Sequence, residues 1–218
     1  NTVFQNGILK IDSVKLKKRE APTAMVQKMR ASILILGALL PRLGELKMAF
    51  PGGCVLGKRS VYAHTHAFKS LGCKIIDDKS GLHLAVAKLK GAKVILPELS
   101  VTATENAIMA AVLAEGMTEI RLAAAEPHVQ DLCRFLNKMG AKITEIGTNS
   151  LKITGVKELK GCKYAITGDY LEAGTFAIAA VATRGDVIIK GIDTDQLDSL
   201  WQKLEEIGAN FELNKHWV

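Results

Sequence analysis

Three short phrases in this 218-residue chain are versions of one another: Leu71-Gly72-Cys73-Lys74-Ile75, Met139-Gly140-Ala141-Lys142-Ile143 and Ile207-Gly208-Ala209-Asn210-Phe211. Their glycines stand at 72, 140 and 208, a spacing of 68 residues both times. A second phrase, Leu89-Lys90-Gly91 and Leu159-Lys160-Gly161, returns at nearly the same period. Two equal long spacings restrict the chain to a repeated supersecondary unit, because copies of one unit bury their apolar faces against each other.

The third unit reads most clearly. Leu171 to Arg184 is rich in Ala and small apolar residues and predicts a helix ended by Gly185. Asp186 to Lys190 predicts a buried strand. Thr194 or Asp195 can cap a second helix, with Leu197, Leu200, Trp201, Leu204 and Ile207 at helical spacing and Gly208 closing it. Ala209 to Leu213 then predicts a strand. The second unit follows the same order: helix 101–114, strand 118–122, helix 126–139, strand 141–146, strand 150–154 and, after the Leu-Lys-Gly turn, strand 162–166. The repeating unit is thus β-α-β-α-β-β. The chain opens on Gly7 to Ile11, the equivalent of Ser150 to Thr154 and of Gly81 to Val86, and closes at Asn214 to Val218 inside a hairpin. Together with a first residue that is not Met, this phase leads to the expectation of further chain on both sides.

Composition narrows the class. Hydrophobic residues make up 48 % and charged residues 23 %, ordinary for a folded protein. Aromatics are only 5 %, so helices on sheets fit better than an aromatic-rich β-sandwich. The longest apolar run, Ile33 to Leu40, is far short of the roughly 18 residues a spanning helix needs. Asn1 to Lys10 has neither the basic nor the apolar region of a secretory signal, and a cytoplasmic location is expected. The net charge of +7 suits nucleic acid, acidic lipid or small anionic substrates alike, and equally a solvated basic face. Only Lys15-Leu16-Lys17-Lys18-Arg19 is a basic cluster, and no aromatic-basic stacking pattern marks a nucleic-acid reader. The four cysteines, Cys54, Cys73, Cys133 and Cys162, show no close pairing, which argues against zinc and against a disulfide framework.

Three stretches carry chemistry. Met29-Arg30-Ala31-Ser32 opens a helix. Pro51 to Val61 is a Gly-rich loop that holds Cys54 a few residues before Lys58 and Arg59, cations that favour a thiolate. The structural alternative for Cys54 is a small buried residue in a tight turn. Asp169 to Phe176 opens the third unit. With the unit order, these stretches resemble the enolpyruvyl transferases, and the Cys-bearing loop resembles the branch that acts on UDP-N-acetylglucosamine. The resemblance runs along the whole chain, and the loop is its most specific piece.

That resemblance implies an α/β fold of β-α-β-α-β-β units forming an inside-out α/β barrel. Residues 1–167 would form the catalytic-loop domain, lacking its N-terminal part, and 168–218 the first unit of a second domain. It implies transfer of the enolpyruvyl group of phosphoenolpyruvate to the 3-hydroxyl of UDP-N-acetylglucosamine, as the first committed step of peptidoglycan synthesis. No metal, other cofactor, nucleic acid or membrane is implied, and a monomer is expected. Cys54 would be the general acid toward the methylene of phosphoenolpyruvate, able also to add to it, and the target of the epoxide fosfomycin. Arg30 and Arg59 would bind anionic groups, which a guanidinium does well. Ser60, Val61, Tyr62 and Ala63 would line the nucleotide. Glu98, Leu99, Ser100 and Val101 would form the approach to a helix N-terminus suited to the diphosphate, although Ser100 reads equally as a plain N-cap.

The chain departs from the family pattern at Ser60 (Pro in many relatives), Tyr62 (Asp), Glu98 (Lys) and Thr102 (Gly). His64 has a family counterpart near the active site and reads equally as a satisfied structural histidine. A Lys-Asn pair that contacts phosphoenolpyruvate would precede residue 1, and a sugar-deprotonating carboxylate and further arginines would follow residue 218. The 218 residues alone are therefore not expected to turn over. The rival readings are another transferase of this fold with a different acceptor alcohol, an inactive fragment or paralogue, and an RNA-binding or RNA-processing relative.

Overall fold

The computed structural model describes residues 1–14, 16–17, 20–53, 60–78 and 81–218. Cys54, Lys58 and Arg59, and Lys15, Lys18 and Arg19 of the basic cluster, lie outside the described residues. A hairpin, β1 (Thr2–Gln5) and β2 (Ile8–Ile11), opens the chain. A short helix α1 (Thr23–Val26) and a 3-10 turn (Arg30–Leu34) lead into α2 (Ile35–Leu43), β3 (Glu45–Ala49), α3 (Tyr62–Ser70), β4 (Lys74–Asp78) and β5 (Gly81–Ala85). The next unit is β6 (Lys93–Ile95), α4 (Val101–Ala111), β7 (Met117–Arg121), α5 (Pro127–Lys138), β8 (Lys142–Thr144) and β9 (Ser150–Thr154). It realises the expected β-α-β-α-β-β order in full.

The two units share one topology. β5 lies between β3 and β4 and is antiparallel to both, as β9 lies between β7 and β8. β6 adds to β7 in parallel, and the isolated parallel bridge Glu20–Lys47 occupies the same place beside β3. The strands alternate: Leu46 and Met48 of β3, Thr118 and Ile120 of β7 and Leu151 and Ile153 of β9 are buried, with wetter residues between them. Such alternation marks sheets with one face on the core. Helix α4 behaves differently. Ala103, Thr104, Asn106, Ala107, Ile108, Ala110 and Ala111 are all buried, so nearly its whole circumference is inside. A helix enclosed in this way fits the inside-out arrangement that the resemblance implies.

The periodic glycines have a single physical cause. Each follows a helix, at φ +89° (Gly72), +103° (Gly140) and +82° (Gly208), in the left-handed region that L side chains avoid. In each case two hydrogen bonds close the helix end. Gly72, Gly140 and Gly208 donate to the carbonyls of Lys69, Asn137 and Glu205, and the next residues, Cys73, Ala141 and Ala209, donate to Phe68, Leu136 and Leu204. This is the paired-bond helix terminus that glycine favours. The Leu-Lys-Gly phrase docks on the same corner, since Lys90 N–H donates to Leu71 O and Lys160 N–H to Met139 O.

The third unit keeps the order but not the strands. α6 (Tyr170–Thr183) is followed by a 3-10 turn (Thr194–Leu197) and α7 (Asp198–Glu206). The segments 162–166, 186–190 and 209–213, expected as strands, are not strands. A strand requires a continuous ladder, and among the described residues these segments lack one. The second has only the Ile189–Val218 backbone pair and the Lys190–Trp217 bridge. Trp201 and Leu204 are buried as the helical spacing predicts, whereas Ile207 is exposed. They belong to a small apolar cluster with Ala173, Ala177 and Ile192, separate from the large cluster built from residues 21–153. α6 also stops earlier than expected. Its left-handed residue is Arg184, at φ +54°, rather than Gly185.

These termini generate a prediction. Gly140→Ala forces a left-handed non-glycine residue and lowers stability by about 1 kcal/mol, although no atom crowds the new methyl group. Arg184→Gly removes that strain and raises stability by roughly 0.5–1 kcal/mol. Urea unfolding of the two variants beside the wild type checks both signs.

Candidate active site

Both stems of the 54–59 loop meet the turn that carries Arg30. On the entering side, Gly52 N–H donates to Val26 O at 3.3 Å. A Cβ at Gly52 would lie 1.6 Å from Gln27 O, and one at Gly53, whose φ is +115°, 3.0 Å from Arg30 N. Only glycine permits this approach. On the leaving side, Arg30 Nη2 donates to Ser60 O at 2.8 Å. Arg30 thereby ties the loop's exit to the first residue of the 3-10 turn.

From Ser60 the chain enters α3. Ser60 Oγ accepts from Tyr62 N at 2.9 Å, Val61 is the N-cap residue, Ala63 is buried, and Tyr62 is exposed with its ring 5.8 Å from that of His66. Glu98 and Leu99 are exposed on the approach to α4. Ser100 caps α4, its Oγ accepting from Ala103 N at 3.4 Å, and Val101 is the first helical residue, partly buried. The described members of the expected set therefore fall on three converging starts: the Arg30 turn, α3 and α4. Cys54 and Arg59 are the two that lie outside the described residues.

His64 and Asn106 join these starts. His64 is buried, with Nδ1 2.9 Å from Asn106 Nδ2 and Nε2 3.4 Å from Thr102 Oγ1. Burial, reinforced by the nearby Arg30 guanidinium, lowers its pKa to about 4, so it is neutral at physiological pH. Sequence reading left His64 open between site and scaffold and passed over Asn106. The available signal was an Asn inside an Ala-rich helix one turn after Thr102.

Glu105, on α4, was also missed. Burial, then the neighbouring Glu126, raises its pKa to about 7. One carboxylate oxygen of Glu126, Oε2, is buried with no hydrogen-bond partner among the described residues. The thiols of Cys73 and Cys133 are pushed up, mainly by burial, to about 11 and about 12, and stay protonated, while Cys162 is exposed. Among the described residues, no group of three or more His, Cys, Asp or Glu side chains could hold a metal. Nor is any helix among them long and apolar enough to cross a membrane.

Layered repeat units with helix starts gathered beside a Gly-rich loop define the enolpyruvyl-transferase architecture. The structure matches the enolpyruvyl transferase NikO from Streptomyces tendae with a TM-score of 0.84 over 99 % of this chain and 53 % of that one, at 18 % identity. It matches EPSP synthase from Acinetobacter baumannii with a TM-score of 0.62 over 86 % of this chain and 44 % of that one, at 20 % identity. At those identities the likeness is one of fold.

The family model of EPSP synthase (3-phosphoshikimate 1-carboxyvinyltransferase) matches residues 3–218, and the chain belongs to that family. Among curated relatives it is 47 % identical, over 94 % of its length, to UDP-N-acetylglucosamine 1-carboxyvinyltransferase 2 of Carboxydothermus hydrogenoformans, of which it covers 49 %. It is 46 % identical, over 97 % of its length, to UDP-N-acetylglucosamine 1-carboxyvinyltransferase 1 of Caldanaerobacter subterraneus, covering 51 %. It is 43 % identical, over its whole length, to the Coxiella burnetii protein named UDP-N-acetylglucosamine 1-carboxyvinyltransferase, covering 50 %. The chain thus spans about half the length of the curated relatives it matches.

Two titrations oppose each other here. His64 has a folded pKa below its ordinary 6.5, so its contribution to stability is complete above pH 6.5 and is lost as pH falls toward 4. Glu105 has a folded pKa above its ordinary 4.5, so its contribution is complete below pH 4.5 and is lost as pH rises through 7. Glu105→Gln is therefore expected to be more stable than wild type at pH 8, by on the order of 2 kcal/mol, and little different at pH 4.5. Denaturant midpoints across that pH range read the difference.

Proposed function

We propose that the complete protein transfers the enolpyruvyl group of phosphoenolpyruvate to the 3-hydroxyl of UDP-N-acetylglucosamine, releasing phosphate, at the first committed step of peptidoglycan synthesis. The observation that carries the reading is the convergence of both stems of the Cys54 loop on Arg30, beside the starts of α3 and α4. The names and 43–47 % identities of the three relatives support the choice of acceptor.

In this reading Cys54 protonates the methylene carbon of phosphoenolpyruvate while the sugar 3-hydroxyl gives its proton to a general base and its oxygen adds to the central carbon. Loss of phosphate, with a proton of the new methyl group returning to the Cys54 thiolate, then restores the double bond and the thiol. Arg30 and Arg59 hold anionic oxygens. Ser60, Val61, Tyr62 and Ala63 line the nucleotide, and Glu98, Leu99, Ser100 and Val101 bring the diphosphate to the free amides of α4. Closure of the Gly-rich loop excludes water and brings Cys54 to the alkene. Residues 1–167 belong to the loop-bearing domain and 168–218 open the second. The protein works as a cytoplasmic monomer without metal or other cofactor. Its positive charge serves two anionic substrates rather than nucleic acid or a membrane surface.

The exposed Tyr62 ring at the start of α3 favours a second reading, the same chemistry on a different alcohol. Phosphate release from phosphoenolpyruvate by the complete protein separates the two, with UDP-N-acetylglucosamine and shikimate 3-phosphate offered in turn. Release dependent on the UDP-sugar is expected, and release with the other acceptor alone would overturn that choice. Cys54→Ala is expected to lower kcat by about 100-fold or more. Fosfomycin is expected to label Cys54 faster in the presence of the UDP-sugar. Peptide mapping is needed for that reading because Cys162 is exposed.

A further inference from the structure

Asn106 sits in a buried junction between three elements. Gly37 N, on α2, donates to Asn106 Oδ1 at 2.7 Å. Asn106 Nδ2 donates to Ile33 O, in the Arg30 turn, at 3.0 Å and stands 2.9 Å from His64 Nδ1, on α3. The two backbone groups fix the amide. Rotating it by half a turn would set its NH2 against the Gly37 N–H and its oxygen against the Ile33 carbonyl, leaving buried groups unpaired. The group facing His64 is therefore a donor, and His64 Nδ1 must accept.

A neutral imidazole carries one proton, so the proton of His64 is on Nε2. Nε2 faces Thr102 Oγ1 at 3.4 Å, and the N–H donates to it. A hydroxyl oxygen that already accepts keeps its own proton for another partner. Thr102 is partly exposed, in the first turn of α4 beside the capping Ser100. The opposite tautomer would reverse the polarity, with Thr102 donating inward and presenting lone pairs outward.

We propose that Asn106 is a positioning residue for ligand binding: through the tautomer of His64 it turns the Thr102 hydroxyl into a donor for an oxyanion of a nucleoside diphosphate. The ligand class rests on the function proposed above, and the polarity of Thr102 rests on the junction alone. Thr102 would be the residue that touches the ligand, with Asn106 acting two hydrogen bonds away. A purely structural Asn106 would hold the three elements together and leave ligand affinity indifferent to which nitrogen of His64 is protonated.

The test uses the complete protein at pH 7.5. Long-range 15N–1H correlation spectra of the His64 ring are expected to show the Nε2–H tautomer, and an Nδ1–H tautomer would overturn the proposal. Calorimetric titration with UDP alone then measures affinity without turnover. Thr102→Val is expected to weaken UDP binding about 10-fold, the effect of one hydrogen bond to a charged group, and Thr102→Ser to restore it. Asn106→Ala is expected to weaken UDP binding to a similar degree in the Thr102 protein and hardly at all when Thr102→Val is already present. Undiminished binding by Thr102→Val, additive losses in the double variant, or a wild type that does not bind UDP would each overturn it. Should Asn106→Ala fail to fold, the wild-type tautomer and the Val and Ser variants still decide. A wild type that binds UDP but does not release phosphate with UDP-N-acetylglucosamine would overturn the transferase reading and leave the role of Asn106 standing.

Discussion

Helix α4 has almost no face turned to water, and its contacts with α2 and α3 fix the positions of the other parts of the site. Gly37 on α2 lets the two backbones come close: a Cβ there would lie 2.7 Å from Asn106 Oδ1 and 2.8 Å from Asn106 O. At such a distance a buried amide cannot be hydrated, so its polar groups must be paired within the protein. Gly37 N, Ile33 O and His64 Nδ1 provide the pairing. One side chain thereby sets the spacing between the Arg30 turn, the start of α3 and the body of α4.

The left-handed glycines set the other half of the architecture. Each reverses the chain from a helix end toward the following strand or extended segment, with the same two hydrogen bonds in every unit. Between these reversals the deeply packed α4 touches α2, α3 and the Arg30 turn, which brings their starts together. The Cys54 loop lies between β3 and α3, so its exit runs directly into one of those starts. Arg30, at the head of another, reaches across to Ser60.

Much of this was legible because the period is carried by backbone requirements. Gly72, Gly140 and Gly208 are favoured by conformation rather than by contacts, so the phrase stays visible while the residues around it differ between units. Helical spacing likewise identified Trp201 and Leu204 as buried. The strand readings at 162–166, 186–190 and 209–213 went further than the structure does, because a β-prone run reports a preference whereas a strand needs a partner in register. Sequence placed the end of α6 at Gly185 for a similar reason, since glycine is the usual left-handed residue, yet Arg184 takes that conformation. Asn106 and Glu105 stayed invisible because their importance lies in contacts with α2, α3 and the start of α5, which no local pattern encodes.

The same junction explains why His64 is neutral. A protonated imidazole has a donor on both nitrogens, and here Nδ1 faces a donor already, the Nδ2 of Asn106. Protonation would therefore cost a hydrogen bond as well as desolvation and repulsion by Arg30, the two effects that hold its pKa near 4. The positive groups among the described residues here do not titrate between pH 5 and 8: the guanidinium of Arg30 and the N–H ends of α3 and α4. A histidine in such a place ordinarily makes anion affinity depend on pH. Held neutral, His64 supplies direction instead of charge, since the one proton it carries points toward Thr102.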